Sequence, residues 1–393
     1  MCVGVMGTAL ASPLYPLYQA LWQLQPSDIT VIFVAYMLGV LASLLFLGRL
    51  TDRFGFLPVL RSGLILVTGG VLLSALAWNV ASFMVSRIAI GIASGLITTS
   101  AMIGLTQLSR GADPRRASLV TTCVMSLGFG LGPVVGGLIA QFAPLPLLSA
   151  YLPTLLMGLL AIYALFQIKV PPRAVRPTEA MVGTPAGISW LPRITFPPRA
   201  LRRPFWIGCM GAFSAFGVFS LYAALAPTFM QHIVPWHGPA ISGFSIGVIL
   251  FLSTAFQLLA RRFSTKTSAM MGLLGLSACN LLLILTSYTG AVTLFVLSVL
   301  VTGFGHGVMS MAGMSIVNKV ATHEQRAGLL SSYMIVGYLG TIVPILGVGW
   351  LANHVGLTSA IVSFCAVMAL LTAGLAYAAQ KTPVISLPDT RSR

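Results

Sequence analysis

A chain of 393 residues that is 57% apolar and only 7% charged, with a mean hydropathy of +0.96, cannot coat a water-soluble surface, since soluble domains carry about 25% charged residues. The net charge of +16 invites a nucleic-acid reading. Yet 21 of the 22 Lys and Arg lie in or beside alternate loops, which is the positive-inside pattern of a multi-pass membrane protein with both termini cytoplasmic. Nucleic acid is excluded as a partner, and the lipid bilayer is the expected solvent.

Each crossing needs roughly 20 mainly apolar residues. Such windows fall at 1–20, 28–47, 59–77, 80–107, 118–142 and 147–168, and then at 205–231, 239–260, 269–287, 290–318, 328–352 and 355–379. Helices are expected throughout, because lipid offers no partner to open backbone groups. Short alternating strands of a membrane barrel are absent. The first window has no basic residue before Arg49 and no cleavage pattern, so it is expected to stay as span 1 rather than act as a signal peptide.

In chain order, Tyr15, Tyr18, Gln19 and Trp22 recur at i, i+3, i+4 and i+7 and give span 1 an aromatic, polar face; the outer members also suit an interfacial belt. Asp28 opens span 2 and is either a helix cap or a proton site at a cavity mouth. Arg87 is the one Lys or Arg inside a span, about seven residues from its outer end, or roughly 10 Å deep at the helical rise. An intramembrane charge is functional by default; snorkelling or carbonyl bonding is the structural alternative. Span 5 carries Gly128, Gly132, Pro133, Gly136 and Gly137, small residues that let helices approach beside a proline bend. Residues 169–204 hold eight prolines and seven Lys or Arg, which disfavours a helix and marks a linker. Phe213, Phe216 and Ser220 stripe span 7. His306 in span 10 is either a proton carrier or a neutral cavity-wall histidine.

A faint two-fold repeat runs across the linker. Gly91-Ile-Ala-Ser-Gly95 matches Gly303-Phe-Gly-His-Gly307, which aligns His306 with Ser94, and Arg116-Ala-Ser-Leu119 matches Arg326-Ala-Gly-Leu329. The expected domains are a six-helix bundle at 1–168, a cytoplasmic linker at 169–204, a second bundle at 205–380 and a cytoplasmic tail at 381–393. Five scattered cysteines form no CxxC pair. No HExxH motif or Asp/His cluster offers catalytic groups, so no enzyme, cofactor, catalytic residue or metal is expected.

The loop after span 2, Gly48-Arg-Leu-Thr-Asp52-Arg53-Phe-Gly55, resembles the signature of the major facilitator superfamily. In that family it acts as a cytoplasmic latch, a role the resemblance assigns to Gly48, Asp52, Arg53 and Gly55. The second-half counterpart keeps Arg261 and Arg262 but lacks the acid. The span 4 string R-x-x-x-G-x-x-x-G resembles that of proton-coupled members, where the Arg serves proton coupling or substrate contact. The span 5 string G-x-x-x-G-P-x-x-G-G resembles the signature of the twelve-helix drug:proton antiporter branch, where it shapes contact with the other half.

The resemblance implies an all-α integral membrane fold of twelve helices in two pseudo-symmetric six-helix bundles. It also implies a monomer of the inner membrane that exports a small, amphipathic molecule by proton antiport, of the multidrug-resistance kind. A facilitator or importer of a sugar or carboxylate is the alternative. With spans 1, 4, 7 and 10 lining the family's cavity, the implied substrate-binding residues are Tyr15, Gln19, Arg87, Thr98, Phe216 and His306. The proton-coupling candidates are Arg87, His306 and Asp28. None of the six acidic residues lies deep in a span, a departure from that branch. Such a cavity suits neutral or anionic solutes better than cationic drugs.

Overall fold

The computed structural model describes residues 2–47, 50–108, 114–167, 194–230, 238–322 and 325–383, and within these no side chain of residues 52, 106–108, 114–123 or 326–327. The described residues form no strand. The helices are α1 (Cys2–Ala9), α2 (Tyr15–Trp22), α3 (Pro26–Ala42), α4 (Leu50–Phe54), α5 (Phe56–Ala75), α6 (Val80–Leu108), α7 (Pro114–Phe142), α8 (Pro146–Ser149) and α9 (Leu152–Gln167). After the linker come α10 (Arg202–Ala224), α11 (Ala226–Met230), α12 (Pro239–Ala260), α13 (Thr265–Thr289), α14 (Val292–Val320), α15 (Arg326–Val355) and α16 (Leu357–Gln380).

Eleven segments among the described residues are long and apolar enough to cross a bilayer. The expected first span is not one of them. It is broken into α1, a 3-10 turn at Ser12–Leu14, and α2. The cause lies in Pro13 and Pro16, which lack a backbone N–H and clash with the preceding turn. Counted with this broken segment, the described residues hold twelve candidate crossings.

The chain divides into two compact units, one of Met1–Trp22 and Ile32–Pro192, the other of Gln23–Val31 and Arg193–Arg393. Both turn polarity inward and apolar groups outward. Leu160 and Leu370 are 67% and 76% exposed, whereas Ser86, Ser220 and Ser298 are fully buried. That is the arrangement lipid requires, since acyl chains solvate apolar side chains but leave a hydroxyl without a partner.

In the first unit, α6 crosses α3 so closely that a Cβ at Gly91 would collide with the Tyr36 carbonyl oxygen. The glycine face of α7 packs on α1 of the same unit: Gly128 meets Cys2, Gly132 meets Met6 and Gly136 meets Leu10. In the second unit, α14 crosses α12, with Gly303 against Ile249 and Leu252 and Gly307 against the Ser253 backbone. There Gly340 of α15 abuts Phe213 of α10, and Phe205, Cys209, Ala212, Val317, Val320, Leu329 and Tyr333 form a closed core.

Candidate functional site

The break in span 1 sets up the first site. Because α1 stops at Ala9, the carbonyls of its last turn lack partners within the helix and form the negative end of its dipole. Arg87 supplies one partner. Its Nη2 donates to the Thr8 carbonyl at 2.8 Å, and its guanidinium carbon lies 4.9 Å from the centre of the Tyr36 ring, a cation–π distance. The side chain is only 1% exposed. Its Nε and Nη1 have no hydrogen-bond partner.

Tyr15, the first residue of α2, is fully buried. Its hydroxyl lies within hydrogen-bonding reach of Arg87 but makes no well-formed hydrogen bond. Tyr36 is within hydrogen-bonding reach of Ser94 and Thr8, so the ring under the guanidinium is pinned from both sides. Behind it runs a chain of hydroxyls. Tyr18 Oη donates to the Ser74 carbonyl at 3.3 Å and lies 3.1 Å from Tyr151 Oη. Ser74 Oγ and Ser86 Oγ are 2.8 Å apart. Tyr18 also stacks on Trp22 and packs against Phe83 at centroid distances of 4.9 and 4.3 Å.

The second unit holds a neutral counterpart. His306 Nδ1 is 2.8 Å from Ser253 Oγ, which also accepts from Gln257 Nε2 at 3.3 Å. Phe216 and Phe219 flank the imidazole at 5.8 and 5.5 Å, and Tyr338 stands edge-on to Phe216 at 6.1 Å. A stripe of Phe213, Phe216 and Phe219 follows one side of α10, all half-buried.

Of the residues singled out from sequence, Tyr15 and Arg87 come together in the first unit, and Phe216 and His306 in the second. Gln19 is half-buried on α2. Thr98 donates to its own helix at Ser94 O, 2.7 Å. Asp28 accepts from the Gln25 amide at 2.8 Å, closing the first turn of α3 as a capping acid does. In the latch loop, Gly48 and the Asp52 side chain lie outside the described residues. Arg53 is exposed over the Phe54 ring at 5.2 Å, and Gly55 starts α5 at φ 80°, a conformation that favours glycine. Pro133 lies within α7, and Gly137 beside it is buried. The sequence reading missed Thr8, Tyr36, Tyr151 and Ser253. Pro13 and Pro16 offered a signal for Thr8, since a helix broken there frees carbonyls. Among the described residues no three His, Cys, Asp or Glu gather to hold a metal.

Comparison with known proteins bears on family and fold. Over 179 residues the chain is 26% identical to the riboflavin transporter RibZ of Clostridioides difficile (strain 630), covering 44% of this chain and 38% of that protein. It is 27% identical over 140 residues to multidrug resistance protein 2 of Bacillus subtilis (strain 168), covering 36% and 35%. These matches span little more than a third of each relative. A solved structure of the peptide transporter POT superposes with a TM-score of 0.77 over 98% of this chain and 93% of that one, at 16% identity, a likeness of fold. The family model of the Major Facilitator Superfamily matches residues 1–344. With spans and inward polarity in accord, the chain is a member of the Major Facilitator Superfamily and an all-α multi-pass membrane protein.

Proposed function

We propose that this transporter exports a small, amphipathic molecule by proton antiport, as a monomer of the inner membrane with both termini cytoplasmic. In this reading two six-helix bundles, 1–168 and 205–380, alternate access to a site near the middle of the membrane, joined by the linker 169–204 and followed by the tail 381–393. The observation that carries it is Arg87, a cation sealed in a spanning helix and held without being neutralised, because an intramembrane charge without a structural counter-charge belongs to a transport pathway by default. Span 4 and span 5 strings of the antiporter type support the direction and coupling. So do relatives whose names denote multidrug resistance and riboflavin transport. In this scheme Tyr15, Gln19, Thr98, Phe216 and His306 share the cavity with Arg87, and Gly48, Asp52, Arg53 and Gly55 latch the cytoplasmic side.

A second reading, facilitation without a driving ion, is favoured by one specific fact: no Asp or Glu lies deep in any span. The test is reconstitution into liposomes with an imposed pH gradient, following riboflavin and a lipophilic dye together with internal pH. Proton antiport predicts solute-dependent alkalinisation or acidification and collapse of uphill transport on adding a protonophore. Flux that runs only down the solute gradient and ignores the protonophore would overturn it in favour of facilitation.

A further inference from the structure

We propose that Arg87 and Tyr15 form an anion-receiving subsite inside the first unit, and that the solute this protein carries presents a carboxylate to it. The inference rests on the transport reading above and names the chemistry its substrate must bring.

A guanidinium has five N–H donors and no acceptor. At Arg87 one is given to the Thr8 carbonyl, whereas Nε, with one N–H, and Nη1, with two, are buried without partners. Buried polar groups are nearly always hydrogen-bonded, and an orphaned donor on a charged group is among the costliest exceptions. Next to it stands the Tyr15 hydroxyl, fully buried and without a well-formed bond but within hydrogen-bonding reach of the guanidinium. A phenol of α2 and a guanidinium of α6 with donors to spare thus lie within reach of each other in the first unit.

Among the described residues no acidic side chain fills them. The chain's six acidic residues are Asp28, Asp52, Asp113, Glu179, Glu324 and Asp389. Asp28, the one within a spanning helix, sits in its first turn and accepts from the Gln25 amide. The others fall in sequence within loops, linker or tail. A carbonyl and an aromatic face hold a cation in place but do not cancel its charge, so net positive charge persists in the bundle. The groups that hold Arg87 have further partners: Tyr36 is within hydrogen-bonding reach of Ser94 and Thr8, and Thr8 Oγ1 donates back to Val5 O at 2.5 Å. A pre-positioned fork plus a phenol matches a carboxylate, which accepts from both at once. A cationic solute finds only repulsion there.

The same donors would also accept an inorganic anion, and the experiment separates the two sources. Purified wild-type protein is titrated with acetate, benzoate and 2-naphthoate, with the matching neutral amides, and with chloride against a gluconate background. Tryptophan fluorescence and thermal melting are both followed. Arg87→Gln, Arg87→Lys and Tyr15→Phe are compared, each first checked for a monodisperse elution profile. The expected result is saturable binding of at least one carboxylate with no response to its amide. Affinity should fall by at least about tenfold in Arg87→Gln and less, about three- to tenfold, in Tyr15→Phe, with Arg87→Lys between. The proposal is overturned if no carboxylate binds, if Arg87→Gln binds as well as wild type, or if chloride alone saturates the same Arg87-dependent site and blocks the carboxylates. Proton-coupled flux of riboflavin or dye without carboxylate binding would sink this inference and spare the transport reading. Carboxylate binding without any flux in liposomes would do the reverse.

Discussion

The two units use one packing plan for different chemistry, and the clearest place to see it is α6 beside α14. At an offset of 212, Phe83, Ser86, Gly91, Ser94 and Gly95 correspond to Phe295, Ser298, Gly303, His306 and Gly307. Ser86 Oγ donates to Phe83 O at 2.6 Å, and Ser298 Oγ donates to Phe295 O at 2.7 Å. A tyrosine covers each phenylalanine, Tyr18 at 4.3 Å and Tyr222 at 6.4 Å. At the position where the first unit has Arg87, however, the second has Val299, 5% exposed. The glycines that let the helices cross are duplicated, while the charge is not. Close approach is thus a property of the scaffold, and one copy of it carries the cation where the other has Val299. In the second copy polarity appears two turns away, as the neutral pair His306 and Ser253.

The largest effect comes from moving the charge. Val299→Arg places a guanidinium beside Phe295, Val296 and Leu300, and an uncompensated buried charge costs about 3–5 kcal/mol. Loss of monodisperse protein in detergent is expected; a stable, fully active variant would show that the second unit can also seat a cation. The converse change separates function from stability. Replacing a buried charge by an apolar group of similar size is often neutral or stabilising, so Arg87→Met should melt at or above the wild-type temperature while uphill transport drops by at least about 100-fold, the scale of an interaction worth 2.7 kcal/mol. Parallel loss of melting temperature and transport would make Arg87 a structural residue.

The shared crossing is broken next. A Cβ at Gly91 or at Gly307 would run into backbone, the Tyr36 carbonyl or Ser253 respectively, so Gly91→Ala and Gly307→Ala should each cost about 1–3 kcal/mol. Gly69→Ala meets nothing within 4 Å and should instead stabilise α5 by roughly 0.5–1 kcal/mol. Thermal melts of the three variants check this, and equal gains at Gly91 and Gly69 would mean that helix propensity rather than the crossing sets the effect.

How much of this was legible in the sequence follows from which interactions are local. The spans were readable because each carries its own apolar length, and the crossing glycines because small residues at fixed spacing repeat in both halves. Arg87 and His306 stood out as polar groups without local reason. The partners did not. Thr8, Tyr36 and Ser253 reach these two side chains from other helices, and no periodicity within one helix says which turn of another it will meet. The face Tyr15, Tyr18, Gln19 and Trp22 was right as a period, yet the break at Pro13 and Pro16 starts α2 only at Tyr15. That break buries Tyr15 beside Arg87 and sends Tyr18 to Tyr151 and Phe83.

The smallest effect is expected where the two copies agree best. Tyr222 Oη donates to Ser298 Oγ at 2.9 Å, whereas Tyr18 reaches the equivalent serine only through Ser74, whose hydroxyl is the one bonded to Ser86. Tyr222→Phe removes a single neutral hydrogen bond, worth about 1 kcal/mol, and leaves Ser298 bonded to Phe295 O, so the melting temperature should fall by only a few degrees with transport intact. Tyr18→Phe removes contacts to both Ser74 O and Tyr151 and lies in the unit that carries the charge. Its melting loss should match or slightly exceed that of Tyr222→Phe, and transport should weaken with it. If both variants lose stability alike and neither changes flux, the hydroxyl chain behind Arg87 is scaffold in both units. The functional difference between the copies then narrows to Arg87, Tyr15 and Tyr36.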